Sequence, residues 1–215
     1  MADLRTAKHE DLIKIAKCHQ KAFPKSLSSA MGVTYLAKML EWYLVDDRAF
    51  IFLLEEDGIC TGYCGGMKSE TTGRAGSASS MIQHSYNMAV KTFLIRPWLF
   101  FHPEFLVKYK LASRNVIKRI KAVMGIRSEP KPLNNNVIEV HTGLIVIGVD
   151  PKVQGKGYGS QLLQEFERVS KNLGFGKMML TVRTDNSIAI KSYKRNGWSI
   201  AKVEGASTSM EKRLL

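Results

Sequence analysis

The chain has 215 residues, a length typical of one domain or of one domain with a large insertion. Hydrophobic residues make up 45% of it, charged residues 24% and aromatic residues 9%, a globular composition that excludes a wholly disordered protein. Lysine and arginine number 32 against 19 aspartates and glutamates, a net charge of +13. This excess predicts an anionic partner, so its position along the chain matters.

Most of the excess charge lies in the middle of the chain. Residues 1–89 hold 10 basic and 10 acidic side chains, whereas residues 90–136 hold 10 and 2, a net +8. Residues 137–215 hold 12 and 7, a net +5. Nucleic acid, a membrane surface or a phosphorylated substrate would each suit the middle segment, and so would a basic face exposed to water.

The cysteines and the hydropathy pattern indicate the redox environment of the protein and whether it spans a membrane. The three cysteines are an odd count, and with no visible targeting peptide we expect reduced thiols in a cytoplasm. Cys60 and Cys64 share an apolar run, but no cluster of further Cys or His residues accompanies them, so we expect no metal site. No stretch of about 18 uncharged apolar residues occurs, which argues against a membrane span.

The first 67 residues show a strand, two helices and a hairpin. Apolar residues recur at helical spacing in two stretches, and Asp57-Gly58 is a strong hairpin signal between two β-rich runs. The predicted elements are strand 4–6, helix 12–23, helix 33–43, strand 49–54 and strand 59–67.

Residues 68–136 interrupt this pattern and are predicted to be an insertion within a single domain, 1–215. Residues 68–85 are rich in Gly, Ser and Thr, which predicts a loop whose hydroxyls suit a sugar. Around residues 116–124, apolar side chains share one helical face and cations the other, which predicts a basic amphipathic helix. The loop hydroxyls are those of Ser77, Ser79, Ser80 and Ser85.

A core pattern returns at Val137. The predicted elements are strand 137–149, a helix through 162–173, strand 178–182, helix 186–195, and strands 198–203 and 207–212. Strands and helices mixed in this order predict an α/β (α+β) fold.

The segment that carries chemistry reads V-D-P-K-V-Q-G-K-G-Y-G-S, from Val149 to Ser160. A strand leads into a Gly-rich turn that opens a helix, where backbone N–H groups and the helix dipole form a cradle for phosphate. Gly157 and Gly159 permit close approach of a pyrophosphate, and Lys156 adds a mobile positive charge. The spacing excludes a Walker A loop and differs from the dinucleotide pattern GxGxxG.

A second segment, N-S-I-A-I-K-S-Y-K-R-N-G-W, runs from Asn186 to Trp198. It predicts a short helix with Asn186 as the cap and Gly197 as the terminator. Asn186 and Tyr193 share one side of this helix, and Tyr193 is the one proton donor there.

The ordered pair of segments resembles the GNAT superfamily of N-acetyltransferases. The likeness is close over residues 144–200, and residues 1–67 are compatible with the first strand, two helices and hairpin of that family. The resemblance implies a central mixed, mostly antiparallel sheet, splayed at strands 4 and 5 and flanked by helices. It also implies an acyltransferase that uses acetyl-CoA, without a metal, to acetylate a primary amine directly.

The resemblance implies a role for each matching residue. Backbone groups at the end of the fourth strand and the side chain of Asn186 would bind the pantetheine arm, and the loop amides would hold the pyrophosphate. Tyr193 would protonate the leaving thiolate. The expected cofactor-binding residues are Ile147, Gly148, Val149, Gln154, Gly155, Lys156, Gly157, Tyr158, Gly159, Ser160 and Asn186.

The general base is left open between two candidates. Glu139 and His141 alternate on one face of the fourth strand, although two polar residues on a solvent-facing strand would show the same pattern. His84 is a weaker candidate for acceptor contact. The histidines that we expect to be structural or on the surface are His9, His19 and His102.

The superfamily implies the acetyl donor but not the acceptor. The insertion resembles those of bacterial acetyltransferases of surface-polysaccharide assembly, which implies a small-molecule acceptor such as an amino sugar on a nucleotide or lipid diphosphate. Aromatic and basic residues over 90–131 suit peripheral contact with the inner membrane face, or a small packed subdomain, better than nucleic acid. The alternatives are a protein or peptide N-acetyltransferase and a non-catalytic module that binds CoA or nucleic acid. The oligomeric state is not indicated.

Overall fold

A computed structural model describes residues 2–69, 77–107 and 140–214. Seven strands in these ranges form one sheet in the order β1-β2-β3-β4-β5-β7-β6, and only β4 and β5 run parallel. This confirms the mixed, mostly antiparallel sheet. The strands are β1 (Asp3–Thr6), β2 (Ala49–Glu56), β3 (Ile59–Ser69), β4 (His141–Val149), β5 (Lys177–Arg183), β6 (Ser199–Glu204) and β7 (Ser207–Arg213).

Helices cover both faces of the sheet. The helices are α1 (Leu12–Ala22), α2 (Leu27–Met31), α3 (Val33–Val45), α4 (Ser77–Ile95), α5 (Tyr158–Asn172) and α6 (Ser187–Arg195). Short 3-10 turns lie at His9–Asp11, Pro97–Phe101 and Pro151–Val153. Within the described ranges, no helix combines the length and the apolar character needed to cross a membrane.

The central strand β2 shows why the sheet is buried on both faces. Ile51 and Leu53 pack in the cluster formed with α1 and α3, whereas Phe52 and Leu54 pack in the cluster formed with α5. Successive side chains of a strand point to opposite faces, so an unbroken apolar run fills two cores.

Two adjacent glycines in β3 allow both helical layers to approach the sheet closely. A Cβ on Gly65 would lie 2.7 Å from the Tyr43 ring of α3. A Cβ on Gly66 would lie 2.4 Å from the Phe166 ring of α5. Both distances are shorter than any ordinary carbon contact, so each layer occupies space that a side chain would need.

The prediction of a loop over 68–85 is wrong where the structure describes it. Residues 68 and 69 end β3, and α4 begins at Ser77 and packs against α3. Ser80 Oγ accepts a hydrogen bond from Trp42 Nε1 at 2.9 Å, and Ser85 Oγ donates to the carbonyl of Met81 at 2.9 Å. The Ser80 hydroxyl therefore joins α4 to α3, whereas the Ser85 hydroxyl is used within α4. The predicted helix at 116–124 lies outside the described residues.

Candidate active site

β4 and β5 run side by side for three residues and then separate. Thr142–Leu144 pair with Met178–Leu180, and no pairing of the two strands continues beyond them. The register with β3 shifts at this point and leaves Ile145 without a residue opposite, a bulge that bends β4 away from its neighbour. A cleft of about 860 Å³ opens where the strands part. The expected splay between strands 4 and 5 is thereby confirmed.

Most of the residues expected at the cofactor line this cleft. Gly148 and Lys156 are not among its lining residues: the missing side chain of Gly148 would point at Tyr63, and Lys156 Nζ lies 6.0 Å from the centre of the Tyr158 ring. The expected residues that line the cleft are Ile147, Val149, Gln154, Gly155, Gly157, Tyr158, Gly159, Ser160, Asn186 and Tyr193.

The Gly-rich loop adopts a conformation that an anion cradle requires. Gly155 has a φ of +89° and Gly157 a φ of +83°, values in the left-handed region that favours glycine. Gly157 is also the residue that precedes the first turn of α5. The N–H of Ser160 in that turn donates to the carbonyl of Gly157 at 3.0 Å, whereas the N–H groups of Tyr158 and Gly159 precede the first intrahelical bonds and stay open. The helix dipole makes this end positive. An anion bound here would meet open donors and no Cβ.

Asp150 anchors the start of the loop. Its buried carboxylate accepts hydrogen bonds from Lys21 Nζ at 2.7 Å and from the Lys152 N–H at 3.0 Å. Both hydrogen bonds lower the pKa of Asp150, and the bond from the Lys21 side chain has the larger effect. Its own N–H donates to the carbonyl of Thr61 at 2.8 Å, which joins the loop to β3. The sequence assigned Asp150 no role, because its partner Lys21 is distant in the chain.

Asn186 and Tyr193 face the cleft from α6. Asn186 Oδ1 accepts a hydrogen bond from the N–H of Ala189 at 3.1 Å, so Asn186 is the helix cap, as predicted, and its amide nitrogen stays available as a donor. The Tyr193 ring packs at 6.1 Å from the ring of Trp198. Burial, followed by the nearby Cys64, raises the pKa of Tyr193 to about 12. The phenol is therefore protonated at neutral pH and is able to donate its proton.

Of the two candidate bases, only His141 lies within the described residues; Glu139 lies outside them. His141 is the first residue of β4, opposite Ser69, and does not line the cleft. The first residue of β4 that does so is Leu144, and three residues of strand span about 10 Å.

One wall of the cleft was not indicated by the sequence. His19, Phe23, Ser26 and Ser28, at the end of α1 and the start of α2, line it and are called the α1–α2 wall below. Ser26 caps α2 by accepting a hydrogen bond from the N–H of Ser29 at 3.2 Å. The sequence pattern predicts no helix at α2, and it favours a structural or surface role for His19 rather than a place in the cleft. The cap-like Ser26 is the signal that would have found this helix.

The charged side chains in the described lining of the cleft are all positive. This lining contains Arg183 and Arg195 but no Asp or Glu. A cleft with this balance favours an anionic ligand and offers no carboxylate to a polycation. Within the ranges that the structure covers, no group of three or more Cys, His, Asp or Glu side chains is placed to hold a metal ion.

Residues 13–198 match the sequence model of the acetyltransferase (GNAT) family. The chain belongs to this family. The splayed strands, the Gly-rich turn and the Asn186–Trp198 segment thus occur together in a GNAT chain, as the resemblance of the sequence indicated.

Two curated relatives show how far the GNAT likeness extends. A mycothiol acetyltransferase of Mycobacterium sp. (strain JLS) is 37% identical over 65 residues, and the N-alpha-acetyltransferase RimI of Mycobacterium tuberculosis (H37Rv) is 43% identical over 60 residues. Each alignment covers 28% of this chain, but only 22% of the first relative and 34% of the second. The chain thus matches a minor part of either protein's length.

Solved GNAT structures share the fold across the whole chain. The PaiA N-acetyltransferase from Thermoplasma acidophilum, solved in complex with coenzyme A, has a TM-score of 0.54 at 13% identity and covers 100% of this chain and 99% of its own. The ribosomal-protein-S18-alanine N-acetyltransferase from Escherichia coli has a TM-score of 0.53 at 15% identity, covering 99% of this chain and 94% of its own. At these identities the likeness shows the shared fold alone.

Proposed function

We propose that this protein transfers the acetyl group of acetyl-CoA directly to a primary amine. The observation that carries the proposal is the cleft between β4 and β5, which has a left-handed glycine turn along one wall and a protonated tyrosine on another. Membership of the GNAT family makes acetyl-CoA the expected cosubstrate.

The residues of the cleft fit this cosubstrate. CoA carries several phosphate charges, and the cleft offers glycine amides, a helix N-terminus and two arginines with no carboxylate in its described lining. The open space beside Gly155, Gly157 and Gly159 leaves the loop backbone accessible, since a Cβ at any of them would meet no atom within 4 Å. When bound, acetyl-CoA supplies an activated thioester carbonyl.

The chain's own groups have separable tasks. The open amides of the stretch from Gln154 to Gly159 hold the diphosphate. The edge of β4 beyond Leu144, where pairing with β5 has ended, binds the pantetheine arm alongside the amide of Asn186. These contacts orient the thioester for attack, and orientation alone supplies a large part of such a rate enhancement. As the C–S bond breaks, Tyr193 Oη gives its proton to the departing sulfur. The proton that the amine nitrogen loses leaves to water, from which the phenolate is protonated again.

We propose a small-molecule acceptor, with an amino sugar as the leading class. The α1–α2 wall presents an imidazole and hydroxyls, which suit a hydroxyl-bearing acceptor better than a polyamine. Similarity to a mycothiol acetyltransferase supports a small molecule. A nucleotide- or lipid-linked amino sugar carries phosphates, whose charge suits the net +8 of residues 90–136.

Acetylation of a protein N-terminus is the second candidate. The stretch that is 43% identical to RimI and the shared fold of the S18-alanine N-acetyltransferase favour it. An extended peptide would lie along the same α1–α2 wall.

A screen of acceptors decides between these candidates. Release of free CoA thiol is measured with glucosamine, a nucleotide-linked amino sugar, an aminoglycoside, a polyamine and an alanine-terminated peptide. We expect turnover with the amino sugars and none with the polyamine. Turnover with the peptide alone would refute the acceptor class, and thiol release no faster than hydrolysis with every amine would refute the activity.

We further propose that the chain is one domain in which residues 68–136 form an insertion that touches the cytoplasmic membrane surface. The described part of the insertion packs on the domain through α4, whose outward face exposes Ile82, Tyr86 and Leu94. Trp98 and Phe101 extend this apolar surface beyond the helix. Apolar and aromatic side chains beside cations are typical of interfacial binding.

Binding to vesicles tests the membrane contact. Sedimentation with phosphatidylglycerol vesicles is compared with sedimentation with phosphatidylcholine vesicles and with RNA binding, each at low and high salt. We expect the anionic vesicles to bind, and Phe101→Ser with Leu94→Ser to weaken that binding. Equal recovery with both lipids, or with neither, would contradict the proposal.

A further inference from the structure

A continuous chain of hydrogen bonds runs from the interior of the sheet to the α1–α2 wall of the cleft. Tyr63 Oη lies 2.5 Å from His19 Nδ1, and His19 Nε2 lies 3.2 Å from Ser28 Oγ. Ser28 Oγ is 3.0 Å from Ser26 Oγ. Tyr63 is fully buried in β3, whereas His19 and the two serines line the cleft.

Tyr63 determines which atoms donate and which accept along this chain of hydrogen bonds. Burial raises the pKa of Tyr63 well above its usual value, so Oη keeps its hydrogen. Among the residues that the structure describes, His19 Nδ1 is its one hydrogen-bond partner. Tyr63 therefore donates to Nδ1, and the neutral ring must carry its own hydrogen on Nε2, from which it donates to Ser28 Oγ.

His19 stays neutral in this arrangement. Burial lowers the pKa of His19 to about 4. A second hydrogen, on Nδ1, would also point at the hydrogen of Tyr63 Oη. The charged groups on the neighbouring elements, Lys21 of α1 and Asp150 after β4, pair with each other at 2.7 Å and so leave the ring without a counter-ion. His19 is thus unsuited to act as the general base at neutral pH.

The donor and acceptor roles of Ser26 and Ser28 follow from where their hydroxyl hydrogens are used. Ser26 Oγ donates to the carbonyl of Phe23 at 3.0 Å or to Ser29 Oγ at 2.9 Å. Its single hydrogen is used there, so Ser28 donates to Ser26 and accepts from His19. A serine oxygen has two lone pairs, and the second one of Ser28 Oγ has no partner among the described residues, while Ser28 itself lines the cleft.

We propose that Ser28 Oγ accepts an N–H of the acceptor amine, and that Tyr63 and His19 are positioning residues that fix this lone pair toward the cleft. The proposal rests on the proposed function, because it assigns the amine-binding group of the same site. Holding one N–H leaves the nitrogen lone pair free to attack the thioester carbonyl. No proton passes along the chain, and the neutral imidazole serves only as a donor.

The first test needs neither acceptor nor acetyl-CoA. Nitrogen-15 NMR of the full chain reports which ring nitrogen of His19 carries the hydrogen, with His19→Gln identifying the signal. We expect the hydrogen on Nε2 and no titration of this ring near its ordinary pKa. Tyr63→Phe should give a mixture of the two neutral forms. A hydrogen on Nδ1, an ordinary titration, or an unchanged ring in Tyr63→Phe would overturn the assignment.

The second test is kinetic and uses glucosamine and the alanine-terminated peptide as acceptors. Ser28→Ala should lower kcat/KM for the acceptor roughly tenfold, the effect of one lost hydrogen bond, and leave the Kd of CoA unchanged. Ser28→Thr, which keeps the hydroxyl, should restore most of the loss. Unchanged kcat/KM in Ser28→Ala would refute the role of Ser28. If no amine of the acceptor screen turns over, the proposed function fails, while the NMR result still decides the hydrogen-bond chain.

Discussion

Two glycines at opposite ends of α5 separate backbone strain from ligand binding. Gly157 precedes the helix with a φ of +83°, and Gly174 follows it with a φ of +80°. An added Cβ would meet no atom within 4 Å at either position. Of these two glycines, Gly157 lines the cleft and Gly174 does not. Gly157→Ala and Gly174→Ala therefore share every expected effect except contact with a ligand.

The magnitudes follow from this difference. A left-handed residue with a Cβ costs about 1–2 kcal/mol, and the loss of glycine's freedom in the unfolded chain offsets about 0.4–1 kcal/mol of that cost. We expect each variant to lose about 1 kcal/mol of stability, or roughly 2–4 °C in Tm for a chain of this size. Loss of one hydrogen bond to a charged phosphate, worth about 1.5–3 kcal/mol, should weaken CoA binding roughly 10- to 150-fold in Gly157→Ala alone.

Calorimetric titration with CoA and thermal unfolding measure the two quantities on the same samples. The reasoning is refuted if Gly157→Ala binds CoA as the unmodified chain does, because the loop would then not be the phosphate cradle. If Gly174→Ala also loses affinity for CoA, the effect comes from the helix as a whole, and the weaker binding of Gly157→Ala would not identify the loop as the phosphate cradle.

Three further predictions concern single groups. Tyr193→Phe should lower kcat roughly 100-fold or more while CoA affinity stays the same, and full activity in a steady-state assay would contradict its role as proton donor. Because burial lowers the pKa of His19 from 6.5 to about 4, the unfolded chain binds the extra proton between these values, so stability should fall as pH decreases through this window. Urea unfolding at pH 7.5 and pH 5 should differ by about 2 kcal/mol more in the unmodified chain than in His19→Gln, and equal differences would show that the ring is not neutral in the fold. Gly66→Ala should lower the free energy of unfolding by about 1–3 kcal/mol, because its Cβ would be overpacked against the Phe166 ring. Gly143→Ala, whose Cβ would lie 3.6 Å from its nearest neighbour, should be tolerated. Similar Tm values for the two variants would contradict the packing argument.

The cofactor side of the site was predictable because its signals are local. The turn around Gly157 and the cap at Asn186 each depend on backbone conformation within a few residues, so residue type and spacing suffice to find them. The strands from β2 to β4 were predictable for a similar reason, since unbroken apolar runs and a hairpin turn are properties of short segments.

The acceptor side was not predictable because its contacts are distant in sequence. His19 and Tyr63 are 44 residues apart, and Lys21 and Asp150 are 129 apart. The composition of residues 77–85 favoured a loop, but packing against α3 and the bond from Trp42 to Ser80 made this stretch a helix. Tertiary contacts of this kind override local propensity.

The sequence by itself determined the GNAT family, the seven strands, the helices α1, α3, α5 and α6, and the glycine turn, since each depends on a short pattern of residues. Only the tertiary structure decided where β4 leaves β5, which side chains form the α1–α2 wall, and that His141 lies away from the cleft. The physical reason is that a bulge, a buried hydrogen-bond chain and a shared wall depend on segments that meet only after folding. The net charge of +13 is likewise a property of composition, whereas the absence of carboxylates from the described lining of the cleft is a property of the fold.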